Sequence, residues 1–133
     1  MRITGRCHCG DITFDAEVDP AAAAICHCTD CQALSGSPYR TSVRAQASAF
    51  RLLSGAPQRY VKTADSGAQR AHAFCPRCGS PVYSADPVNP SSYNLRIGTL
   101  DQRAQLAPTR QQWCASALLW ADDISALPRK ERQ

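Results

Sequence analysis

Seven of the eight cysteines lie in three short segments whose spacing is typical of metal ligands. The segments are Cys7-His8-Cys9, Cys26-His27-Cys28-Thr29-Asp30-Cys31 and Cys75-Pro76-Arg77-Cys78, and only Cys114 stands apart. A Cys-x-x-Cys turn points two thiolates at one ion, and zinc binds such sulfurs at about 2.3 Å in tetrahedral geometry. Gly79 directly after Cys78 allows the close backbone approach that such a turn requires. The spacing therefore predicts metal binding.

The spacing allows two ways of dividing these cysteines between two ions. The last two cysteines of the second segment can join the third segment as an ordinary zinc ribbon, which leaves Cys26 with the distant first segment. Alternatively, Cys26, Cys28 and Cys31 bind one ion by themselves, and the first and third segments share the other. Three cysteines within six residues reach one ion without closing a long loop, which favours the second arrangement. A three-ligand zinc with a free fourth position is the pattern of a catalytic metal.

Other interpretations of the cysteines compete with this one. Disulfides in a secreted protein would use all eight, but adjacent Cys-x-Cys pairs are poor disulfide partners. A redox Cys-x-x-Cys lacks the βαβ pattern of a thioredoxin-like fold. The most serious alternative is a second structural zinc whose fourth ligand is His8, His27, His72 or Cys114. Cys114 falls on a predicted strand, where it is expected to be a small buried hydrophobic residue.

The remaining sequence predicts short strands that carry the cysteine segments. Residues 11–18 alternate polar and apolar side chains after a Gly10-Asp11 turn, which predicts a first hairpin carrying Cys7 and Cys9. A single helical turn is expected at residues 29–34, with Thr29 as its N-cap. Short strands between turn residues predict a mainly antiparallel all-β fold, in one domain over residues 1–133. The other predicted strands are 21–25, 39–45, 50–53, 58–63, 69–74, 82–84, 93–98 and 110–115.

Composition and charge exclude several classes of protein. The formal net charge is +4, but thiolates bound to two zinc ions would bring it to about +1, so basicity does not predict a nucleic-acid partner. Residues 32–121 nevertheless hold ten basic and three acidic side chains, a field that favours a small anionic ligand. The longest apolar run, residues 21–26, is far shorter than the roughly 20 residues of a membrane span. No secretory signal is apparent, so a reducing cytoplasm is expected.

The three cysteine segments together resemble those of the glutathione-dependent formaldehyde-activating enzyme family. That family has Gly-x-Cys-x-Cys-Gly, Cys-His-Cys-x-x-Cys and Phe-Cys-x-x-Cys-Gly segments, which stand here at residues 5–10, 26–31 and 74–79. The similarity spans nearly the whole chain, and also includes residues 34–38, residues 97–101, Pro108, Trp113, Ser116 and Trp120. Many relatives have a histidine shortly after the proline, where this chain reads Thr109-Arg110-Gln111-Gln112-Trp113, so no role for that histidine carries over.

The resemblance implies a zinc-ribbon-like β-tent, with antiparallel sheets around two zinc sites. It implies a zinc-dependent carbon–sulfur lyase that joins glutathione to formaldehyde or a related aldehyde, giving S-hydroxymethylglutathione. Water, His27 or Ser35 would supply a proton. A non-catalytic zinc-stabilised β module that binds glutathione, another thiol adduct or a protein partner is the alternative. The implied ligands are Cys7, Cys9, Cys75 and Cys78 for a structural zinc, and Cys26, Cys28 and Cys31 for a catalytic zinc that is held less firmly.

Overall fold

The computed structural model describes all residues from Met1 to Gln133 and is mainly β, as the sequence predicted. Its strands are β1 (Arg2–Arg6), β2 (Thr13–Val18), β3 (Ala24–Cys26), β4 (Arg40–Ser54), β5 (Gln58–Thr63), β6 (Gln69–Phe74), β7 (Pro81–Ala85), β8 (Ser92–Arg96) and β9 (Arg110–Gln112). One α-helix, α1, spans Thr29–Ser35, and short 3₁₀ turns span Pro20–Ala22, Ile97–Thr99, Arg103–Gln105, Cys114–Ser116 and Leu119–Ala121. No helix combines the length and apolar character needed to cross a membrane.

The nine strands form one sheet that is almost entirely antiparallel. Seven of them follow the order β1-β2-β4-β8-β7-β6-β5, and every neighbouring pair in that path is antiparallel. The short strand β3 pairs with the start of β4 and also with β9, and the β3–β9 pair is parallel. The antiparallel fold class predicted from the sequence is confirmed, with this one parallel pair as an exception.

One face of the sheet carries the apolar core. Fifteen buried residues form a continuous cluster, and its largest fully buried side chains include Phe14, Ile3, Ile12 and Leu95. Two cysteines also belong to this cluster, Cys7 and Cys75 being 1% and 0% exposed. Burial of these side chains is the main source of stability, at about 25 cal/mol for each Å² of apolar surface removed from water.

The segment predicted as two strands, residues 39–45 and 50–53, is a single strand, β4. The residues between the predicted strands are Gln46, Ala47, Ser48 and Ala49, which include neither glycine nor proline, so nothing stops the strand there. At the predicted break, the register of β4 against β2 shifts, between Ala16 and Val18 of β2.

The strand predicted at residues 21–25 begins later than expected. Pro20 starts a 3₁₀ turn, and the Asp19 side chain accepts a hydrogen bond from the Ala21 N–H at 2.9 Å. This cap satisfies a donor at the start of the turn and delays β3 until Ala24. The helix that follows β3 begins as predicted, but its N-cap is Cys28 rather than Thr29.

The strand predicted at residues 110–115 stops at Gln112. Trp113 adopts a left-handed conformation with φ of 60°, which ends the extended backbone. Cys114 then lies in a 3₁₀ turn and is exposed, so the expectation that it is buried on a strand was wrong.

The close approach of β1 and β2 at Gly5 provides a test of this packing. A Cβ atom at Gly5 would lie 2.3 Å from Cζ of Phe14, whose ring is fixed in the core. We expect Gly5→Ala to destabilise the protein by about 1–3 kcal/mol, measured by denaturant unfolding, because the ring must move. Gly98→Ala is the control, since a Cβ there meets no atom within 4 Å. Equal stability of the two variants would contradict the described packing.

Candidate metal centres

The first and third cysteine segments meet at one end of the sheet. Cys7 and Cys9 lie in the loop between β1 and β2, and Cys75 and Cys78 lie in the turn between β6 and β7. The four sulfur atoms all lie within 4.8 Å of one another. This four-cysteine group therefore has the ligand number and the compactness of a closed tetrahedral metal site.

Both turns depend on a glycine in the left-handed conformation. Gly10 has φ of 81° and donates its N–H to the Cys7 carbonyl at 3.0 Å, while Gly79 has φ of 77° and donates to the Cys75 carbonyl at 2.8 Å. Residues with a side chain rarely adopt this backbone conformation, so a substitution at either glycine would strain its turn. The Ser80 hydroxyl links the two turns by accepting the His8 N–H at 3.0 Å.

The thiols of Cys9 and Cys78 differ in their affinity for protons. Hydrogen bonds from the Ser80 hydroxyl and N–H lower the pKa of Cys78 to about 5. The Asp11 N–H favours the Cys9 thiolate, but burial and hydrogen bonds to Cys7, Cys78 and Cys75 outweigh it and raise the pKa of Cys9 to about 12. Four neighbouring thiols cannot all ionise without a compensating charge, and a bound divalent cation supplies that charge. The donor set therefore fits a metal ion.

The second cysteine segment forms a separate group by itself. Cys26 ends β3, Cys28 caps α1, and Cys31 lies in the first turn of that helix. Their three sulfur atoms lie within 4.8 Å of one another, and no histidine, aspartate, glutamate or further cysteine joins them. All three residues are partly exposed, whereas Cys7 and Cys75 of the four-cysteine group are buried. We call these residues the three-cysteine group.

Local hydrogen bonds also separate the pKa values of Cys28 and Cys31. The pKa of Cys28 is lowered despite its burial, because its sulfur accepts the Cys31 N–H at 3.3 Å. Burial and the hydrogen bond to Cys28 raise the pKa of Cys31 to about 12. As in the four-cysteine group, three adjacent thiolates require a cation, so this donor set also fits a metal ion.

The segment after β9 holds the three-cysteine group in place. The Gln32 side chain donates to the carbonyls of His27 and Ser116, at 2.8 and 2.9 Å. The Ser116 hydroxyl donates to the same His27 carbonyl at 3.0 Å, and the His27 N–H donates to the Gln112 carbonyl at 3.0 Å. Three of these four bonds connect positions more than 80 residues apart in the chain, and sequence reasoning gave no account of them.

None of the four side chains considered as a further ligand belongs to either group. His27 is buried and donates its ring Nε2–H to Gln111 at 2.7 Å. His8 is exposed in the loop between β1 and β2, and Cys114 is exposed in the turn after β9. His72 lies on β6, where its Nδ1 faces two arginines.

A polar cavity of about 380 Å³ borders the three-cysteine group. Asp30 is its only acidic lining residue and pairs with Lys62. The cavity therefore carries an excess of positive charge, and part of it is buried. Its basic lining residues are Arg40, Arg44, Lys62, Arg70, Arg96 and Arg110.

The strand register explains why these side chains face one cavity. Arg40 pairs with Cys26 across β3 and β4, and Ser42, two residues further along β4, pairs with Arg96 of β8. Residues two apart share a face of a sheet, and Val43, between Ser42 and Arg44, points into the core. Sequence reasoning noticed the positive charge of this region but could not place it, because register depends on partners distant in the chain.

His72 lies between two buried arginines of this cavity. Its Nδ1 is 3.2 Å from Nη1 of Arg40 and 3.4 Å from Nη2 of Arg96. Burial and the charges of Arg40, Arg96 and Lys62 lower the pKa of His72 to about 4. The imidazole is therefore neutral at neutral pH.

The fold and the two cysteine groups define a small β protein with two candidate metal centres, one of which opens onto a positively charged cavity. The model of the glutathione-dependent formaldehyde-activating enzyme family matches residues 2–116. The chain belongs to this family, and the resemblance seen in the sequence is confirmed.

Solved structures support the same fold. A crystal structure of a Rhodobacter sphaeroides protein, determined in a structural genomics programme, matches with a TM-score of 0.63 and 23% sequence identity. The match covers 81% of this chain and 98% of the other. At this identity the likeness concerns the fold alone. No curated protein matches the chain significantly.

The two groups predict the metal content of purified protein and of its variants. We expect about two zinc ions per chain by elemental analysis, and the loss of one in each of Cys78→Ser and Cys28→Ser. Cys78→Ser should also cost on the order of several kcal/mol of unfolding free energy, because the four-cysteine group joins the core. Cys28→Ser should lower the melting temperature far less, since its group lies at the cavity.

Cys114→Ser is the matched control for both variants. Its thiol is exposed and outside both groups, so metal content and melting temperature should stay at the values of the unmodified protein. Equal destabilisation by Cys78→Ser and Cys28→Ser would contradict the separation into a core site and a cavity site.

Proposed function

We propose that this protein is a zinc-dependent carbon–sulfur lyase that joins glutathione to formaldehyde or a related aldehyde. The observation that carries the proposal is the three-cysteine group, which lacks a fourth protein ligand and borders a cavity. Membership of the glutathione-dependent formaldehyde-activating family supports the same thiol and aldehyde. In this proposal, Cys7, Cys9, Cys75 and Cys78 hold a structural zinc, and Cys26, Cys28 and Cys31 hold the catalytic one.

Zinc bound by three thiolates keeps an exchangeable fourth position and lowers the pKa of a thiol that occupies it. The chain itself supplies the geometry of this centre. Cys28 is fixed by the Cys31 N–H, and the surrounding backbone is fixed through Gln32 and Ser116. Such support keeps the three sulfurs together before substrate arrives, so little reorganisation is needed on binding.

The proposed reaction forms one carbon–sulfur bond. The glutathione sulfur attacks the carbonyl carbon, the π electrons move to the oxygen, and that oxygen takes up a proton to give a hydroxymethyl thioether. The hydrogen bonds made by His27 and Ser35 limit their use as proton donors, because His27 donates to Gln111 and the Ser35 hydroxyl donates to the Cys31 carbonyl at 2.6 Å. We therefore assign proton delivery to water in the cavity.

The cavity matches glutathione in charge. Glutathione carries more carboxylates than ammonium groups, and the lining holds six basic side chains against one acidic side chain. A concave site lined by one sign of charge attracts the opposite charge and speeds association.

Since all eight cysteines are free thiols, a reducing compartment such as the cytoplasm suits the protein.

The alternative function is a zinc-stabilised β module that binds without catalysis. That function needs no exchangeable position, so it predicts that a fourth protein ligand completes the three-cysteine group. His8, His27, His72 and Cys114 all lie outside the group, which favours the enzyme.

The proposal predicts faster exchange between free and adduct-bound glutathione. Exchange can be measured by NMR with glutathione, formaldehyde and protein containing two zinc ions per chain. We expect acceleration that falls by about tenfold or more in Cys28→Ser, because the reacting thiol loses its binding site. Cys114→Ser should keep full activity.

Raising the ionic strength should weaken glutathione binding, because salt screens the positive cavity.

The two functions give different results in this assay. Zinc-loaded protein that binds glutathione without accelerating exchange would contradict the lyase and support the binding module. Acceleration that persists in Cys28→Ser would contradict the assignment of the three-cysteine group as the reaction centre.

A further inference from the structure

Two arginines of the cavity are buried without an acidic partner. Arg40 is 5% exposed and Arg96 is 6% exposed. No carboxylate lies within 4.0 Å of either guanidinium, and the ion pairs of the chain involve other residues. Arginine is rarely buried unless it is paired, because removing its charge from water is costly.

The hydrogen bonds of these arginines leave an unusual set of free donors. Both guanidiniums face Nδ1 of His72, and because guanidinium can only donate, Nδ1 must be the acceptor. The proton of the neutral ring is therefore on Nε2. That Nε2, together with Nε and Nη2 of Arg40 and Nε of Arg96, is buried and has no partner. All four atoms are donors, and no unpaired acceptor accompanies them in this cluster.

A ligand that completes this cluster must supply acceptors and negative charge. Lys62 and Arg70 already pair with Asp30 and Asp86, so Arg40, Arg96 and the more exposed Arg44 and Arg110 remain uncompensated. A divalent ion on three thiolates contributes only a single negative charge. A planar carboxylate offers two acceptor oxygens, which match the paired donors of a guanidinium.

We propose that Arg40, Arg96 and His72 form a carboxylate-binding subsite beside the three-cysteine group. The inference deepens the proposed function, on which it rests for the identity of the reacting thiol and aldehyde. Arg40 is the cross-strand partner of Cys26, so the bound carboxylate lies close to the reacting centre. The carboxylate belongs either to glutathione itself or to an aldehyde that carries one, of which glyoxylate is the simplest.

Direct binding tests the subsite without relying on activity. Acetate and its neutral isostere acetamide are titrated at constant ionic strength into two ¹⁵N-labelled, zinc-loaded proteins, the unmodified chain and Cys28→Ser, which lacks only the metal of the three-cysteine group. We expect acetate to shift the His72 ring nitrogens in both proteins and acetamide to leave them unchanged. Identical responses to acetate and acetamide, or no acetate response in the zinc-loaded unmodified protein, would overturn the subsite.

Two variants and one control separate the subsite from the general field of the cavity. Arg40→Gln and Arg96→Gln should each weaken acetate binding by about tenfold or more. Arg59→Gln is the control, because Arg59 is exposed on β5 outside the cavity and its loss changes the net charge equally. It should stay within about twofold of the unmodified protein. Equal losses in all three variants would overturn the proposal.

Thermal stability in the absence of carboxylate provides an independent readout. Arg96→Gln removes a buried cation that has no carboxylate partner, so we expect a melting temperature at or above that of the unmodified protein. A clearly lower melting temperature in both arginine variants would assign these residues a structural role and overturn the proposal.

Exchange kinetics identify the source of the carboxylate. Glutathione is compared with its glycine amide, and formaldehyde with glyoxylate. Weaker binding of the amide assigns the subsite to glutathione, whereas faster exchange with glyoxylate, lost in Arg96→Gln, assigns it to the aldehyde. Acetate binding without exchange in any pair would leave the subsite standing and contradict the lyase. Exchange without acetate binding would contradict the subsite and support the lyase.

Discussion

The meeting of Cys7 and Cys75 is the constraint on which the rest of the structure depends. Cys7 follows β1 and Cys75 follows β6, and these strands lie five positions apart in the sheet, or about 24 Å if the sheet were flat. Their sulfurs lie within 4.8 Å, so the sheet must bend until its two sides meet. The bend encloses the core, and both cysteines are part of it. A metal ion at this position would hold together two segments that no strand pairing connects.

The two faces of the bent sheet carry different kinds of side chain. Side chains alternate along a strand, so Val43 and Leu95 point to the core while Arg44 and Arg96 point to the cavity. The core face is apolar and supplies stability. The cavity face keeps buried charge and unpartnered donors, which lower stability and are tolerated at sites that bind ligands. The separation lets the three-cysteine group remain open, because the four-cysteine group and the core hold the fold.

The sequence predicts the parts of this arrangement that depend on near neighbours. The Cys-x-Cys and Cys-x-x-Cys spacings and the alternation at residues 11–18 are local patterns, and each corresponds to an observed turn or strand. The burial of Arg40 and Arg96 depends on the register between β3, β4 and β8, which no local pattern encodes. The prediction that Cys114 lies on a strand was wrong because the left-handed backbone of Trp113 follows the last residue of β9, and no local pattern indicates that conformation.

The charge balance of the cavity connects the cysteines to the arginines. Burial and the hydrogen bond to Cys28 raise the pKa of Cys31, and burial and the charge of Arg40 lower the pKa of Arg96 to about 9. Against these effects, Arg40 favours the Cys31 thiolate, and Cys31 and Cys26 favour the charged form of Arg96. The two sets of groups therefore stabilise each other's ionised forms across the cavity. The thiolates do not neutralise the arginines fully, because a metal ion on the thiolates removes most of the negative charge that the arginines face. Loading the three-cysteine group with a cation thus increases the demand for an anion on the arginine side, so metal binding and anion binding should favour each other at neighbouring positions.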